Sequence, residues 1–145
     1  MLFQPIQKTE SDDIYTIMYN ASGAAIVAGY PVVWDTTTDC DGNRCTKPAT
    51  ATLSCIRGIA VEAIASAAYG MIQVEGYYAS AAVINNTAAD VVAGNILIPV
   101  TGQWYLARSG ASDGKSGFIY YAGTTYTSVT EAAAAKACEV LIRCL

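Results

Sequence analysis

The stretch Gly58-Ile-Ala-Val-Glu-Ala-Ile-Ala-Ser-Ala-Ala-Tyr-Gly-Met-Ile-Gln-Val-Glu-Gly-Tyr-Tyr78 decides the fold. Apolar side chains recur at every second position on both sides of its centre, with polar side chains between them: Ile59 and Val61, then Ile72 and Val74, against Glu62, Gln73 and Glu75. This alternation predicts two strands, each with a buried face and a solvent-exposed face. Gly70 and the β-branched flanks disfavour a helix through the central alanines. We therefore predict a strand, a short connection and a second strand in a tightly curved sheet or small barrel.

Short β-rich segments separated by turn residues continue on both sides of this stretch. We predict strands at 14–19, 25–34, 78–84, 93–99, 103–108, 117–121 and 138–145, with residues 48–56 returning the chain towards the Gly58 stretch. Pro31 cannot donate to a strand ladder, so its segment lies at a sheet edge or bends there. The segment from Ala93 to Pro99 shares its Ala-Gly start and short apolar run with the segment from Ala28 to Trp34, which suggests two related strands of a barrel.

The C-terminal region combines a helix-prone segment with an alternating one. Residues 131–136 are rich in alanine, and Thr130 is a suitable N-cap. A short helix feeding a closing strand is the prediction, and a single longer helix is the alternative. The predicted fold class is all-β: a small barrel or sandwich of short antiparallel strands with at most one short helix near the C-terminus. We divide the chain into an extended N-terminal arm, residues 1–13, and one β-rich domain, residues 14–145.

The composition is poor in charge. Of the 145 residues, 53% are hydrophobic and 14% are charged, and the mean hydropathy is +0.32. Ordinary soluble domains carry about 25% charged residues, so this chain has little charge with which to coat an isolated globule. Its length fits a single domain. We therefore expect its apolar surface to be covered in an oligomer or a larger assembly.

The distribution of charge and apolar residues argues against several kinds of partner. The net charge is −4, and the lysines and arginines are scattered rather than clustered as nucleic-acid binding requires. The longest apolar run is interrupted by Glu62, Ser66 and Gly70, and it is shorter than the about 20 residues of a membrane-spanning helix. Residues 1–8 lack the basic region and apolar core of a signal peptide. We expect a protein made in the cytoplasm, with neither nucleic acid nor membrane as a partner.

The five cysteines do not form a recognisable framework. They are Cys40, Cys45, Cys55, Cys138 and Cys144. Disulfides are rare in cytoplasmic proteins, and an odd number leaves at least one thiol free. Cys40 and Cys45 share one predicted loop, where a thiolate metal site is conceivable, but no second paired motif accompanies them. Separate thiols are the favoured interpretation.

No catalytic constellation is present in the sequence. The chain contains no histidine, which excludes Ser–His and Cys–His catalytic pairs and histidine-ligated metals. Glu62 and Glu75 are a conceivable carboxylate pair, but the alternation predicts that they face solvent. We therefore predict that the chain is not an enzyme and has no cofactor.

Two polar loops define the alternative function, a nucleotide- or metal-binding enzyme. Gly114-Lys115-Ser116 matches the second half of a phosphate-binding loop, but Ser109 replaces the first glycine and a β-like segment follows instead of a helix. The Asp39–Asn43 segment groups oxygen ligands as calcium loops do, without helical flanks or a later bidentate glutamate. A hairpin turn is the favoured interpretation of each loop.

The N-terminal arm carries the predicted binding residues. Leu2, Phe3, Pro5 and Ile6 precede an acidic break at Asp12 and Asp13, and the arm has no periodicity. Such a segment becomes ordered only when a partner supplies a groove. We therefore predict that these residues bind a groove on a partner.

Several short motifs together resemble the capsid decoration, or cement, proteins of tailed bacteriophages. They are Ala28-Gly-Tyr-Pro-Val-Val-Trp34, Gly58-Ile-Ala-Val-Glu62, Tyr69-Gly-Met-Ile-Gln-Val-Glu-Gly76 and Ala93-Gly-Asn-Ile-Leu97. The resemblance runs from about residue 24 to 106 and implies a small β-rich protein, usually trimeric, on the outside of the phage head. Its implied partners are the major capsid protein and further copies of itself, and its implied location is the virion surface. The N-terminal arm matches no motif of the family, so we predict a capsid-binding arm at Leu2, Phe3, Pro5 and Ile6 from its apolar character alone. Another virion component, such as a tail or head-fibre part, is the nearest alternative.

Overall fold

The computed structural model describes residues 13–38, 42–85, 89–110, 118–127 and 135–144. Within these ranges the chain forms nine strands and a short 3₁₀ helix at Thr50–Cys55. The strands are β1 Ile14–Asn20, β2 Pro31–Trp34, β3 Arg44–Thr46, β4 Ile56–Ala60, β5 Tyr69–Ile84, β6 Ile96–Pro99, β7 Leu106–Arg108, β8 Ile119–Tyr121 and β9 Lys136–Arg143. The all-β prediction is confirmed, including a closed five-stranded barrel.

The strand pairings close a ring of five strands twice, and both rings share β5. The first ring runs β1–β3–β2–β4–β5 and closes through the pairing of β1 with β5. The second runs β5–β7–β6–β8–β9 and closes through the pairing of β5 with β9. Strand β5 is 16 residues long. Its first half completes one ring and its second half begins the other, which explains why it is far longer than its neighbours.

The two rings have the same topology. In the first ring β1 pairs with β3 in parallel, and every other pairing is antiparallel. In the second ring the C-terminal half of β5 pairs with β7 in parallel, and every other pairing is again antiparallel. The C-terminal half of β5 is therefore the counterpart of β1, and β6, β7, β8 and β9 are the counterparts of β2, β3, β4 and the first half of β5.

A sequence repeat accompanies this topology. Residues 20–34 and 85–99 align without a gap, and identical residues recur as Asn20 and Asn85, Ala24 and Ala89, Val27 and Val92, Ala28 and Ala93, and Gly29 and Gly94. Each segment contains an isolated bridge, a turn and a strand: Ile26 bridges Ile64, and Val91 bridges Tyr126. The relation between the strands after Ala28 and Ala93 is therefore real, and it extends further than the shared Ala-Gly pair.

Alternating side chains from both rings form the core. In β9, Cys138, Val140 and Ile142 are buried, whereas Glu139 and Arg143 are exposed, so the predicted closing strand is confirmed. Ile59, Ile72 and Val74 are buried as predicted, whereas Val61 follows the end of β4 and is only half-buried, and Ala60 is buried beside Ile59. The prediction that Gln73 faces solvent is wrong.

Gln73 is buried because β5 passes from one ring to the other at this point. Its exposed fraction is 1%. The side-chain amide nitrogen donates to the carbonyl groups of Glu75 (3.2 Å) and Tyr77 (3.1 Å) and to the Asp13 carboxylate (3.0 Å). A buried amide is tolerated when such partners satisfy it, so this polar residue belongs to the junction between the rings.

The predicted pairing of the strands around residues 109–116 needs correction. β7 and β8 were expected to form a hairpin, but each pairs with β6, which lies between them. The segment that returns the chain towards β4 contains the 3₁₀ helix Thr50–Cys55. The helix predicted at 131–136 lies largely outside the described residues, and Lys136 begins β9.

Candidate interaction surface

Most of the predicted site residues lie outside the described part of the chain. This is the case for Leu2, Phe3, Pro5 and Ile6 of the arm, for residues 39–41 of the acidic loop, and for Gly114-Lys115-Ser116. The strands that flank the acidic loop, β2 and β3, pair antiparallel, with Val33 opposite Thr46 and Trp34 opposite Cys45.

Of the cysteines that the structure describes, Cys45, Cys138 and Cys144 are buried and Cys55 is partly buried. Cys45 belongs to β3 and to the core rather than to a loop. Burial raises the pKa of its thiol to about 11 and that of Cys144 to about 12, so both stay protonated near neutral pH. Among the described residues, no three His, Cys, Asp or Glu side chains come together as a metal site would require.

An exposed aromatic cluster lies on the outer face of the first ring. Tyr69 is 70% exposed, and its ring meets that of Tyr19 edge to face, with ring centres 5.4 Å apart. Register places Tyr19 opposite Tyr69 and Ile17 opposite Met71, which is 42% exposed. The guanidinium carbon of Arg44 lies 5.0 Å from the centre of the Tyr19 ring. We call Tyr19, Arg44, Tyr69 and Met71 the Tyr69 cluster.

The Tyr69 cluster has the composition of a binding hot spot. Tyrosine, arginine and methionine are the residues enriched at protein interfaces, where they fill pockets on the partner. The edge-to-face ring pair and the cation above Tyr19 hold part of the cluster in place before any partner arrives. A preorganised aromatic patch of this kind loses less conformational entropy on binding than flexible side chains do.

Arg44 is oriented by a buried carboxylate. Its Nε atom lies 3.7 Å from a carboxylate oxygen of Asp35, whose exposed fraction is 7%. Asp35 also accepts hydrogen bonds from the hydroxyl (2.7 Å) and the backbone N–H (3.1 Å) of Thr37. The hydrogen bond from the Thr37 hydroxyl is the main reason that the pKa of Asp35 lies below its ordinary value of 3.8.

Acid is therefore expected to weaken the Asp35 contacts. A carboxyl whose pKa is lower in the folded state stabilises the fold above its ordinary pKa of 3.8, and this contribution is lost as the pH falls through the folded-state pKa. Urea unfolding of the wild type and of Asp35→Asn at a series of pH values tests this. The wild type should be more stable at neutral pH, and the difference should shrink in acid. A difference that does not change with pH would contradict the assignment.

A second apolar area, the β1 strip, adjoins the Tyr69 cluster. It consists of Ile14, Tyr15 and Ile17, which are 40%, 47% and 65% exposed. The Tyr15 hydroxyl donates to Asp13 at 3.5 Å. Partial burial, with a further contribution from the Asp13 carboxylate, raises the pKa of Tyr15, so the strip carries no charge of its own at neutral pH.

A shallow groove lies beside β9. Its volume is about 480 Å³, and it is lined by Ala79, Tyr121, Gly123, Thr124, Thr125, Tyr126, Thr127, Lys136, Ala137, Cys138 and Glu139. The ammonium group of Lys136 lies 4.8 Å from the centre of the Tyr126 ring. The described lining of the groove contains one cation, Lys136, one carboxylate, Glu139, and the Cys138 thiol. Burial raises the pKa of Cys138, so this thiol is not an activated nucleophile, and no second carboxylate among the described lining residues pairs with Glu139. The outer face of the first ring is therefore the stronger candidate for function.

The comparisons with known proteins leave the family of this chain open. No protein-family model matches it, and no curated protein matches it significantly. Among the described residues no helix is long and apolar enough to cross a membrane.

The Tyr69 cluster was not predicted from the sequence, although the residue pattern of β1 indicated part of it. Tyr15, Ile17 and Tyr19 alternate in β1 with Ile14, Thr16 and Met18, so both faces of this strand carry apolar side chains. A strand with one face in its own core and large apolar residues on the other face indicates a second contact. Neither Arg44 nor Tyr69 is close to β1 in sequence, and only the pairings of β1 with β3 and β5 bring them there.

Proposed function

We propose that this chain is a capsid decoration protein that binds the outside of a tailed-phage head between major capsid protein subunits. The observation that supports this proposal most strongly is the Tyr69 cluster, an exposed and partly preorganised hot spot on a chain in which only 14% of the residues are charged. The cluster suits docking against another protein, because removing its tyrosines and methionine from water lowers the free energy of the complex.

The motifs that resemble decoration proteins have structural positions that fit this proposal. Ala28-Gly29 and Ala93-Gly94 belong to the two repeated turns, and residues 58–62 and 69–76 belong to β4 and β5 of the first ring or directly follow them. The motifs therefore specify the barrel scaffold and its repeat, while the Tyr69 cluster lies on the scaffold surface. Additional stability of the shell would follow by mass action, since the protein binds the assembled lattice.

The binding prediction concerns Tyr69. Tyr69→Asp should weaken the binding of the purified protein to undecorated heads, assembled from the cognate major capsid protein, by about tenfold or more, because a charge replaces an aromatic anchor at the centre of the contact. Co-sedimentation over a range of protein concentrations measures this. Circular dichroism should show an unchanged fold, since the side chain is 70% exposed.

Tyr77→Asp is the matched control. Tyr77 is an exposed tyrosine on the same strand, 43% exposed, but it lies on the second ring opposite Leu141. The Tyr77→Asp variant should bind undecorated heads about as tightly as the wild type does. If both variants decorate heads as tightly as the wild type, the Tyr69 cluster is not the contact. If the wild type does not bind heads at all, the decoration function itself is wrong.

The N-terminal arm and the homotrimer remain predictions within this proposal. Asp13, the last residue of the arm, lies immediately before the β1 strip, so a partner seated on the outer face of the first ring would also lie near Asp13.

A further inference from the structure

The two repeated turns differ in burial although their backbones are alike. In each, the fourth residue donates to the first: Tyr30 to Val27 at 3.2 Å and Asn95 to Val92 at 3.0 Å. Each carries a glycine in third place, with φ +90° at Gly29 and +87° at Gly94. Gly29 is nevertheless buried, whereas Gly94 is exposed.

Gly29 is buried because β5 packs against the turn that contains it. The Ala82 N–H donates to the Gly29 carbonyl at 2.9 Å. A Cβ on Gly29 would collide with the carbonyl oxygen of Ser80, whereas a Cβ on Gly94 would meet no atom within 4 Å. The turn of the first ring thus receives a strand of the second ring. The equivalent turn of the second ring receives none from the described part of the chain.

The strand segment that occupies the Gly29 turn has a counterpart in β1. The register of β5 with β9 shifts between Tyr78 and Ala81, and the register of β1 with β5 shifts between Ile14 and Tyr15. Aligning Asn20 with Asn85 places both irregularities in the same part of the repeat, although the extra residue lies in β5 each time: Val74 opposite β1, and one of Ala79 and Ser80 opposite Glu139 of β9. It also places Tyr15 at the position of Ser80 and Ile17 at the position of Ala82.

The backbone direction of β1 fits the same contact. The N–H of Tyr19 donates to Asn43 at 2.8 Å, away from β5. Because N–H groups in a strand alternate between its two edges, the N–H of Ile17 points to the same side. Ala82 likewise directs its N–H away from its antiparallel neighbour and towards Gly29.

Apolar surface is exposed on both halves of the missing contact. The β1 strip exposes Ile14, Tyr15 and Ile17, and the second turn exposes Val92 and Ala93. Val27 and Ala28 of the first turn are exposed as well, so the turns differ in the burial of their glycine and not of these side chains. The β1 strip and the second turn belong to different rings of one chain. No described segment of the chain covers either area, and a second copy would offer each area a partner like the one that the Gly29 turn already has.

We propose that the turn at Val92–Asn95 of one copy binds β1 of a second copy, head to tail, and so repeats between copies the junction that joins the two rings within a copy. The Gly94 carbonyl accepts a hydrogen bond from the N–H of Ile17 in the neighbour, and Gly94 packs against the neighbour's Tyr15 carbonyl. A heterologous contact of this kind closes into a ring when its rotation permits and otherwise extends into a chain of copies. The inference does not depend on the proposed capsid function.

Sedimentation velocity of the purified full-length protein, without capsids and over a range of concentrations, tests the contact. The wild type should show concentration-dependent self-association. Val92→Asp and Ile17→Asp should each raise the apparent dissociation constant about tenfold or more, because each places a charge against apolar surface. Val27→Asp is the matched control, since Val27 occupies the same place in the turn that β5 already covers, and it should associate as the wild type does.

Mixing the two disrupted variants distinguishes a head-to-tail contact from a symmetric one. The Ile17→Asp copy keeps an intact turn and the Val92→Asp copy keeps an intact β1, so an equimolar mixture should form dimers that neither variant forms alone. Gly94→Asn should also weaken association, since asparagine tolerates a positive φ but its Cβ occupies the contact. Gly23→Asn, at φ +76° with open space around it, controls for the backbone change.

Three outcomes would overturn the proposal: a wild type that stays monomeric at every concentration, a Val92→Asp variant that associates like the wild type, or disrupted variants that fail to complement each other. Thermal melts establish that each variant is folded. Because no capsid is present, these results are independent of the head-binding assay. A protein that self-associates without binding heads would refute the decoration function alone.

Discussion

Gly58→Ala is expected to lower the free energy of unfolding by about 3 kcal/mol or more. Gly58 lies where the register of β2 and β4 shifts, between the pairs Val32 with Gly58 and Val33 with Ile56. Its φ is +153°, a backbone conformation that residues with a Cβ rarely adopt. A Cβ would collide with the Gln73 carbonyl oxygen and would lie 2.9 Å from a methyl carbon of Ile72. Both obstacles belong to β5, the strand that the two rings share.

Urea unfolding measures this loss, and Gly23→Ala is its control. Gly23 also has a positive φ, +76°, but it is exposed and a Cβ there would meet no atom within 4 Å. The control should cost only about 1 kcal/mol, the backbone penalty for an L-residue in the left-handed region. Equal losses in the two variants would show that the approach of β4 to β5 does not require a glycine.

The strands of the first ring were largely predictable, because their alternation is local. Ile59, Ile72 and Val74 alternate with other residues at the strand period, and the periodicity is strong enough to place β4 and β5. Gln73 interrupts this agreement, because its burial results from the passage of β5 between rings and not from its sequence neighbours. A polar residue at such a junction looks like any solvent-facing residue in an alternating strand.

The topology of the second ring was predictable in principle, but only through the repeat. β7 and β8 were interpreted as a hairpin because turn-forming residues separate them. In the first ring the same places are taken by β3 and β4, which flank β2 and are joined through a 3₁₀ helix. Recognising that Asn20 and Asn85 begin equivalent segments predicts that β7 and β8 flank β6 in the same way.

The candidate surface was the least predictable feature. Tyr19, Arg44 and Tyr69 come from three strands, and their proximity depends on one parallel and one antiparallel pairing. Pairing between distant strands depends on the whole closed ring and not on local propensity. The exposed apolar residues of β1 were visible in the sequence, but the cation beside them was not.

Asn20→Ala is the second substitution for which we expect a large effect, a loss of about 3 kcal/mol or more, because several buried polar groups lose their partner at once. Asn20 is 1% exposed. Its side-chain nitrogen donates to the carbonyls of Ala24 (2.8 Å), Ile64 (3.1 Å) and Ala65 (3.1 Å), and its oxygen accepts from the N–H (3.0 Å) and hydroxyl (2.7 Å) of Ser22. One amide thus ties β1 to the connection that precedes β5.

Asn20→Asp separates the donor role from the acceptor role. The aspartate keeps the oxygen that accepts from Ser22 but presents a second oxygen to the carbonyls of Ala24, Ile64 and Ala65, so it should destabilise at least as much as alanine at neutral pH. Ser22→Ala, which removes only the hydroxyl, should cost about 1 kcal/mol. The comparison is made by urea unfolding of all three variants. If Asn20→Asp were as stable as the wild type, the three donated hydrogen bonds would not be what fixes this connection. Asn85 is the counterpart of Asn20 in the second ring, where its side-chain nitrogen donates to the Tyr126 carbonyl at 2.9 Å. The same result would therefore also remove the reason to assign this role to Asn85.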